Sequence, residues 1–252
     1  MGVGEGCIYQ RDYSDVIPLF DDRSVQLVWT DPPFGTGQKQ ELFSTMGTSY
    51  NYMDYDSQQA LDVVSHMSEL MYPKLCDNGV LAVCLDYRIV HEAAVAIKSV
   101  GYNFLREIIY HFELGATTKN WWTNKHNTIL LFGKDELSLF NADQIPLVER
   151  KSPKGKYVGD KKVNSVWSIT MGNTDPQRTG YPNQKPLQLV EPFILVHTNP
   201  GDLVFDPFAG SGTTGAAAQK HGRNFVLCDT NPEAVQVMVD RGLACHPFSE
   251  GF

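Results

Sequence analysis

No apolar run in this chain approaches the roughly 20 residues needed to span a bilayer. Residues 1–6 have neither the basic start nor the apolar stretch of a signal peptide. A cytoplasmic protein with no membrane partner is expected. A cysteine framework is lacking too. Cys7, Cys76, Cys84, Cys228 and Cys245 are odd in number, scattered, and contain no C-x-x-C pair, which excludes both a disulfide scaffold and a zinc knuckle. The seven histidines form no ligand cluster, so no metal is expected. Positive charge is scarce: 21 Lys and Arg stand against 29 Asp and Glu, a net charge of −8. That opposes nonspecific attraction to nucleic acid, but net charge does not fix the local surface. The position of each lysine therefore matters more than the total.

What is present is organised around one junction. Val25-Gln26-Leu27-Val28-Trp29-Thr30 reads as a buried strand that runs into Asp31-Pro32-Pro33-Phe34. Two prolines offer no ladder donors and end the strand there. Asp31 is thereby set at the carboxyl edge, where open α/β sheets hold their ligands. A carboxylate and the Pro32 carbonyl side by side suit an exocyclic amine that must attack an electrophilic methyl group. Such an amine is a poor nucleophile, and two fixed acceptors stabilise the positive charge that grows on it. Pro33 stiffens the loop, and Phe34 offers a face for a base to stack on. Without the rest of the chain, the same four residues also read as an acidic strand end and a proline turn.

Along the chain, residues 8–12 form a short strand ending in Asp12, which suits either a contact to a cofactor amino group or a cap. Residues 35–55, rich in glycine, amide and tyrosine without a clear period, read as a long loop folding over cofactor or DNA, or as a surface excursion. Residues 57–75 carry apolar side chains at helical spacing, with Ser57 as the expected cap. A continuous apolar strand at 80–85, a helix at 89–100 closed by Gly101, and strands at 104–112 and 128–132 follow. The alternation predicts a doubly wound, mostly parallel α/β sheet ending in an antiparallel hairpin. Cys84 and Cys228 fall inside apolar strands and are expected to be buried thiols.

Between the hairpin strands lie Lys119, Trp121, Trp122 and Lys125. Lysines interleaved with tryptophans suit a surface that stacks on a displaced base and grips phosphate, or the pair packs in the hairpin core. Arg150, Lys151, Lys154, Lys156, Lys161 and Lys162 concentrate positive charge in an otherwise acidic chain. They are the expected DNA-contacting segment. The expected organisation is residues 1–133 as a catalytic half, 134–180 as a small inserted target-recognition segment, and 181–252 as the cofactor half of the same domain. A recognition segment this short reads few bases or works with a second subunit, as in a homodimer.

Late in the chain a strand at 203–206 leads into Asp206-Pro207-Phe208-Ala209-Gly210-Ser211-Gly212-Thr213-Thr214-Gly215 and then a helix. Gly210, Gly212 and Gly215 satisfy G-x-G-x-x-G after a strand and before a helix, and Asp229 stands nineteen residues beyond Gly210, able to accept ribose hydroxyls. A nicotinamide dinucleotide would fit this pattern. It would leave the Asp-Pro-Pro-Phe tetrad unexplained, and too little chain follows for a second mononucleotide half.

Taken together, the tetrad, the glycine loop, Gln184-Lys185-Pro186 upstream of it and His126-Asn127-Thr128-Ile129-Leu130-Leu131-Phe132 resemble the motifs of the β group of DNA amino-methyltransferases that use S-adenosylmethionine. The likeness covers about four fifths of the chain. It implies a Rossmann-like methyltransferase fold in circularly permuted order and double-stranded DNA as partner. It implies that Asp206, Phe208, Gly210, Ser211, Gly212 and Thr213 cradle the methionine end of the cofactor. Asp229 would hold its ribose, Asp12 its adenine, and Lys185 the adjoining cofactor surface. The catalytic residues implied are Asp31, Pro32, Pro33 and Phe34. Asp in the first place of the tetrad looks like the adenine-N6 enzymes, since Ser is commoner where cytosine-N4 is the acceptor. The chain departs from the pattern at Tyr181, Asn183 and Asn127. A DNA-binding protein that keeps the fold without the chemistry is the non-enzymatic alternative.

Overall fold

The computed structural model describes residues 4–37, 39–43, 49–53, 55–113, 117–172 and 174–243. The chain opens with β1 (Gly6–Tyr9), a short helix α1 (Tyr13–Val16), a 3-10 turn (Ile17–Leu19) and β2 (Val25–Thr30). A hairpin of β3 (Lys39–Phe43) and β4 (Ser49–Met53) precedes α2 (Ser57–Lys74), β5 (Leu75–Leu85), α3 (Val90–Val100), β6 (Asn103–His111) and β7 (His126–Gly133). A second hairpin, β8 (Leu147–Lys151) and β9 (Tyr157–Lys162), leads to β10 (Val166–Ser168). The chain continues through α4 (Leu187–His197), β11 (Leu203–Asp206), α5 (Thr213–Lys220), β12 (Asn224–Cys228) and α6 (Pro232–Asp240).

The continuous apolar strands have two faces to bury, and the sheet gives them both. Leu27 and Trp29 of β2, with Val80, Ala82 and Cys84 of β5, pack on one side with Leu189, Val190, Phe193 and Ile194 of α4, Ala217 and Ala218 of α5, and Ala234 and Met238 of α6. Their alternates Val28, Leu81, Val83 and Leu85 pack on the other side with Val64, Met67 and Met71 of α2 and Ala93 and Ile97 of α3. A period of two along each strand thus feeds two cores, as expected of strands covered by helices on both faces.

The strand order is β1-β12-β11-β2-β5-β7-β6-β10. Both pairings made by β7 are antiparallel, and the other pairings of this sheet are parallel. From β2 the chain moves through α2 to β5 on one face. From β11 it moves through α5 to β12 in the opposite direction, on the other face. β2 and β11 are neighbours, with Leu27 beside Val204 and Val28 beside Phe205. The winding reverses between them, and the carboxyl ends at such a reversal are where open α/β sheets hold their ligands.

Two local expectations need correction. The cap of α2 is Asp56, not Ser57: Asp56 accepts from the Gln59 N–H at 2.9 Å, and the Gln59 side chain accepts from the Asp56 N–H at 3.0 Å, a reciprocal capping box. The stretch 35–55, expected as a long loop, contains a hairpin: β3 and β4 pair antiparallel from Lys39–Met53 to Phe43–Ser49, and residues 38, 44–48 and 54 lie outside the described residues. Within 134–180, β8 and β9 form their own two-stranded sheet, while β10 joins the edge of the main sheet beside β6. Cys84 and Cys228 are buried as expected, and Cys245 lies outside the described residues. No helix among the described residues is long and apolar enough to cross a membrane.

Candidate active site at the carboxyl edge

Four neighbouring parallel strands each deliver one acid to the same edge. β1 is followed by Asp12, β12 by Asp229 and β2 by Asp31, while β11 ends in Asp206 itself. The edge therefore collects, in space, carboxylates that are scattered along the chain.

The glycine loop after β11 is shaped by its backbone. Gly210 and Gly212 have φ of +49° and +73°, a region costly for residues with a Cβ. A Cβ on Gly212 would also stand 2.8 Å from Met238 Cγ. The Gly210 N–H donates to Asp229 Oδ2 and the Asn231 N–H to Oδ1, both at 2.9 Å. Burial raises the Asp229 pKa, and the two backbone donors oppose it. Asp206 is 2% exposed and accepts from the Phe208 N–H at 3.1 Å and the Thr214 hydroxyl at 2.5 Å. Burial pushes its pKa up to about 7 against those two donors. From the end of α6, Arg241 donates to the Ser211 carbonyl at 2.7 Å and reaches the Thr213 hydroxyl at 3.3 Å. The loop is thus braced from both flanks. Tyr181, one of the departures, lies against Gly210, and its hydroxyl accepts from the Asn231 side chain at 3.4 Å.

Lys185 joins this loop to the tetrad. Its backbone carbonyl accepts from the Thr213 hydroxyl at 3.0 Å, and its ammonium pairs with Asp31 Oδ2. The same Nζ lies 4.9 Å from the centroid of the Phe34 ring. The Lys185 and Asp31 side chains are only 10% and 18% exposed. Burial works against the charge on Lys185, but Asp31 first, and then Cys84, outweigh it, so its pKa stands above the ordinary lysine value. Asp31 Oδ1 is buried and meets no donor at full hydrogen-bonding geometry, with the Cys84 thiol as a weak donor beside the carboxylate. The Cys84 thiol borders the carboxylate and is kept protonated by burial and then by Asp31. Asn127 donates to its sulfur at 3.8 Å. Tyr110 is near enough to feel Lys185, and burial pushes its pKa up to about 12. The sequence pointed Lys185 at the cofactor surface alone. Tyr110 was missed, Cys84 was expected only as a buried thiol and Asn127 only as a departure from the family pattern, although each sits near the end of a strand at the carboxyl edge.

Among the other candidates, Asp12 caps α1, accepting from the Ser14 N–H at 2.9 Å and the Ser14 hydroxyl at 2.6 Å through Oδ1. Trp121 and Trp122 are 81% and 87% exposed, which rules out packing in the hairpin core. Their loop is pinned internally: Thr118 donates to the Trp121 carbonyl at 2.6 Å, and Lys125 donates to the Glu113 carbonyl at 2.9 Å. It connects His111 of β6 to His126 of β7, paired at the carboxyl edge, so it rises from the same side of the sheet as Asp31. Lys119 is exposed on it. The basic run falls on one hairpin, with Arg150 and Lys151 on β8, Lys154 and Lys156 in the turn, and Lys161 and Lys162 on β9, all exposed. Lys151 pairs with Glu149 at 3.5 Å, and Lys162 donates to the Ala142 carbonyl.

Comparison with known proteins agrees with this geometry. Residues 25–240 match the family model described as DNA methylase, of the N6/N4 type. The DNA adenine methyltransferase YhdJ of Escherichia coli is 35% identical over 239 residues, covering 86% of this chain and 76% of that protein. The type II methyltransferase M.HpaI of Haemophilus parainfluenzae is 25% identical over 224 residues, covering 88% and 69%. Among solved structures, the cytosine-N4-specific PvuII DNA methyltransferase superposes with a TM-score of 0.75 at 21% identity, over 99% of this chain and 91% of that one. The M1.HpyAVI–SAM complex does so with a TM-score of 0.65 at 22% identity, over 94% and 98%. The sheet is the Rossmann-like methyltransferase fold, permuted so that the tetrad strand precedes the glycine-loop strand. With a family match over most of its length and a relative at 35% identity, the chain belongs to the N6/N4 DNA methylase family.

Proposed function

We propose that this protein methylates the exocyclic N6 amine of adenine in double-stranded DNA, after the base has been flipped out of the duplex. The observation that carries the reading is Lys185, which ties Asp31 of the tetrad to Thr213 of the glycine loop. Donor and acceptor machinery therefore meet at one edge.

The cofactor is S-adenosylmethionine, and the residues present fit it. Gly210 and Gly212 take the loop through positive φ, and a Cβ at Gly212 would stand 2.8 Å from Met238 Cγ, so the tight strand-to-helix turn that such cofactors bind against depends on glycine here. Asp206, Phe208, Gly210, Ser211, Gly212 and Thr213 would hold the methionine end, Asp229 the ribose and Asp12 the adenine. When bound, this group supplies an electrophilic methyl on a sulfonium. The chain's own residues act on the acceptor. Asp31 and the Pro32 carbonyl accept from the amine hydrogens and stabilise the positive charge that develops as nitrogen bonds to carbon. The amine proton is far too weakly acidic for a carboxylate to remove beforehand, so it would pass to water only after transfer, once the nitrogen is cationic and the carbon–sulfur bond has broken to leave a neutral thioether. Phe34 stacks on the base with the face that Lys185 leaves open. Lys119, Trp121, Trp122 and Lys125 grip the DNA near the flipped base. The hairpin carrying Arg150, Lys151, Lys154, Lys156, Lys161 and Lys162 contacts phosphates, and 134–180 is the target-reading segment of a domain built from 1–133 and 181–252.

Adenine is favoured by Asp in the first place of the tetrad and by the likeness to YhdJ. The test is to incubate the protein with duplex DNA and methyl-labelled cofactor, digest the DNA to nucleosides and identify the product. N6-methyladenine is expected; N4-methylcytosine would overturn the acceptor.

A further inference from the structure

The tetrad chemistry needs Asp31 as a fixed acceptor, yet Asp31 lies in a poorly solvated place where a lone carboxylate is costly. Four titratable groups face it from the elements around it: Lys185 before α4, Cys84 on β5, Tyr110 on β6 and Asp206 on β11. Of these, Lys185 alone brings positive charge. It is anchored at both ends, by the Thr213 hydroxyl on its carbonyl and by Asp31 on its ammonium, and the Phe34 ring covers it. Oδ2 of Asp31 is committed to this pair, whereas Oδ1 is buried and meets no donor at full hydrogen-bonding geometry, the Cys84 thiol being the weak donor beside the carboxylate.

We propose that Lys185 is a positioning residue for methyl transfer: it clamps Oδ2 of Asp31, fixes the orientation of the carboxylate, and leaves Oδ1 as the acceptor for the amine of the base. Lys185 touches neither the reacting nitrogen nor the methyl carbon; it acts through Asp31. A buried acceptor without a strong donor is costly, and an amine N–H arriving at Oδ1 removes that cost. The clamp also couples the two halves of the site, since the residue that orients Asp31 is held by the loop that carries the cofactor. The reason for a lysine here is then the chemistry of the acceptor, in addition to any contact with the cofactor.

This inference rests on the methyltransferase reading, and its test has an arm that needs no substrate. In steady-state kinetics, Lys185→Met should lower kcat on the order of 10²-fold while KM for the cofactor changes by less than about threefold. Lys185→Arg, which keeps the charge, should recover most of the loss. In thermal melting of the cofactor-free protein, Lys185→Met should lower the midpoint by on the order of 10 °C. Adding Asp31→Asn to that variant should restore it, because no charge is then left unpaired. A Lys185→Met enzyme as fast as the parent or faster would overturn the inference, marking the ammonium as a plug that the base must displace. So would melting effects of the two substitutions that simply add. Should Lys185→Met not fold alone, recovery of folding in the Asp31→Asn double variant supports the pair and its absence refutes it. A cytosine product would sink the adenine assignment and leave the melting result standing.

Discussion

The buried edge of the sheet and the exposed basic and aromatic surface solve different problems with the same chain. At the edge, Asp206 and Asp229 each accept two hydrogen bonds, Asp31 is held by Lys185, and the glycine loop is braced by Thr213 and Arg241. Trp121 and Trp122, by contrast, stand almost wholly in solvent, and the lysines of β8–β9 project from a hairpin outside the main sheet. Charge that must be in place before the reaction is fixed by folding, since preorganised dipoles cost no rearrangement later. Groups proposed to meet DNA are left uncovered, as expected of a surface whose partner arrives with the substrate. Stability therefore reports on the first region, and binding on the second.

Substitutions can test that division. The largest expected effect is Asp31→Ala, which should reduce methyl transfer on the order of 10³-fold with cofactor affinity largely intact by equilibrium binding; full activity would remove Asp31 from the chemistry. Next, changing Trp121 and Trp122 together to Ala should weaken DNA binding by roughly 10- to 100-fold, since stacking contributes about 1–3 kcal/mol per base. The melting temperature should not move. A drop in melting temperature would instead show that the pair supports the fold.

The buried side offers a pH signature. Asp206 titrates at about 7 in the folded chain against 3.8 as a free group. Between those values the folded protein keeps a proton that the unfolded chain has released. The contribution of Asp206 is therefore fully present below about pH 4 and is lost as pH rises through about 7. Its slope is at most about 1.4 kcal/mol per pH unit. Denaturation of the cofactor-free protein across this window should lose that component in Asp206→Asn. The smallest effect belongs to the hairpin: Lys154→Ala or Lys156→Ala should weaken DNA binding to a similar degree across sequences. Each should also flatten the slope of log affinity against log salt by about 1, the change expected when one phosphate is no longer neutralised.

What the sequence made legible follows the same division. Strands buried on both faces, such as 25–30 and 80–85, announce themselves by unbroken apolar runs. The tetrad and the glycine loop are legible because proline and glycine leave local marks on the backbone. The β3–β4 hairpin was missed because its amides and tyrosines show no apolar alternation. The three-residue β10 was missed because Trp167 is its one buried residue. The Asp31–Lys185 pair joins residues 154 positions apart, and no local pattern encodes which lysine an acid will meet. Exposure of Trp121 and Trp122 was equally undecidable, because a tryptophan pair in a hairpin connection suits a core or a surface. Only the packing of β6 and β7 decides it.

The neighbourhood of β2 and β11 has a consequence for synthesis. Leu27 and Val204 pair across 177 positions of sequence, so the pairing must wait until β11 has left the ribosome, and it carries the loop-closure cost of everything between them. A truncated or half-folded product can bury α2 and α3 on a partial sheet, yet it has no complete reaction centre. If Asp31 and the glycine loop share one site as proposed, a chain stalled before β11 should show no methyl transfer, which makes activity a readout of finished folding.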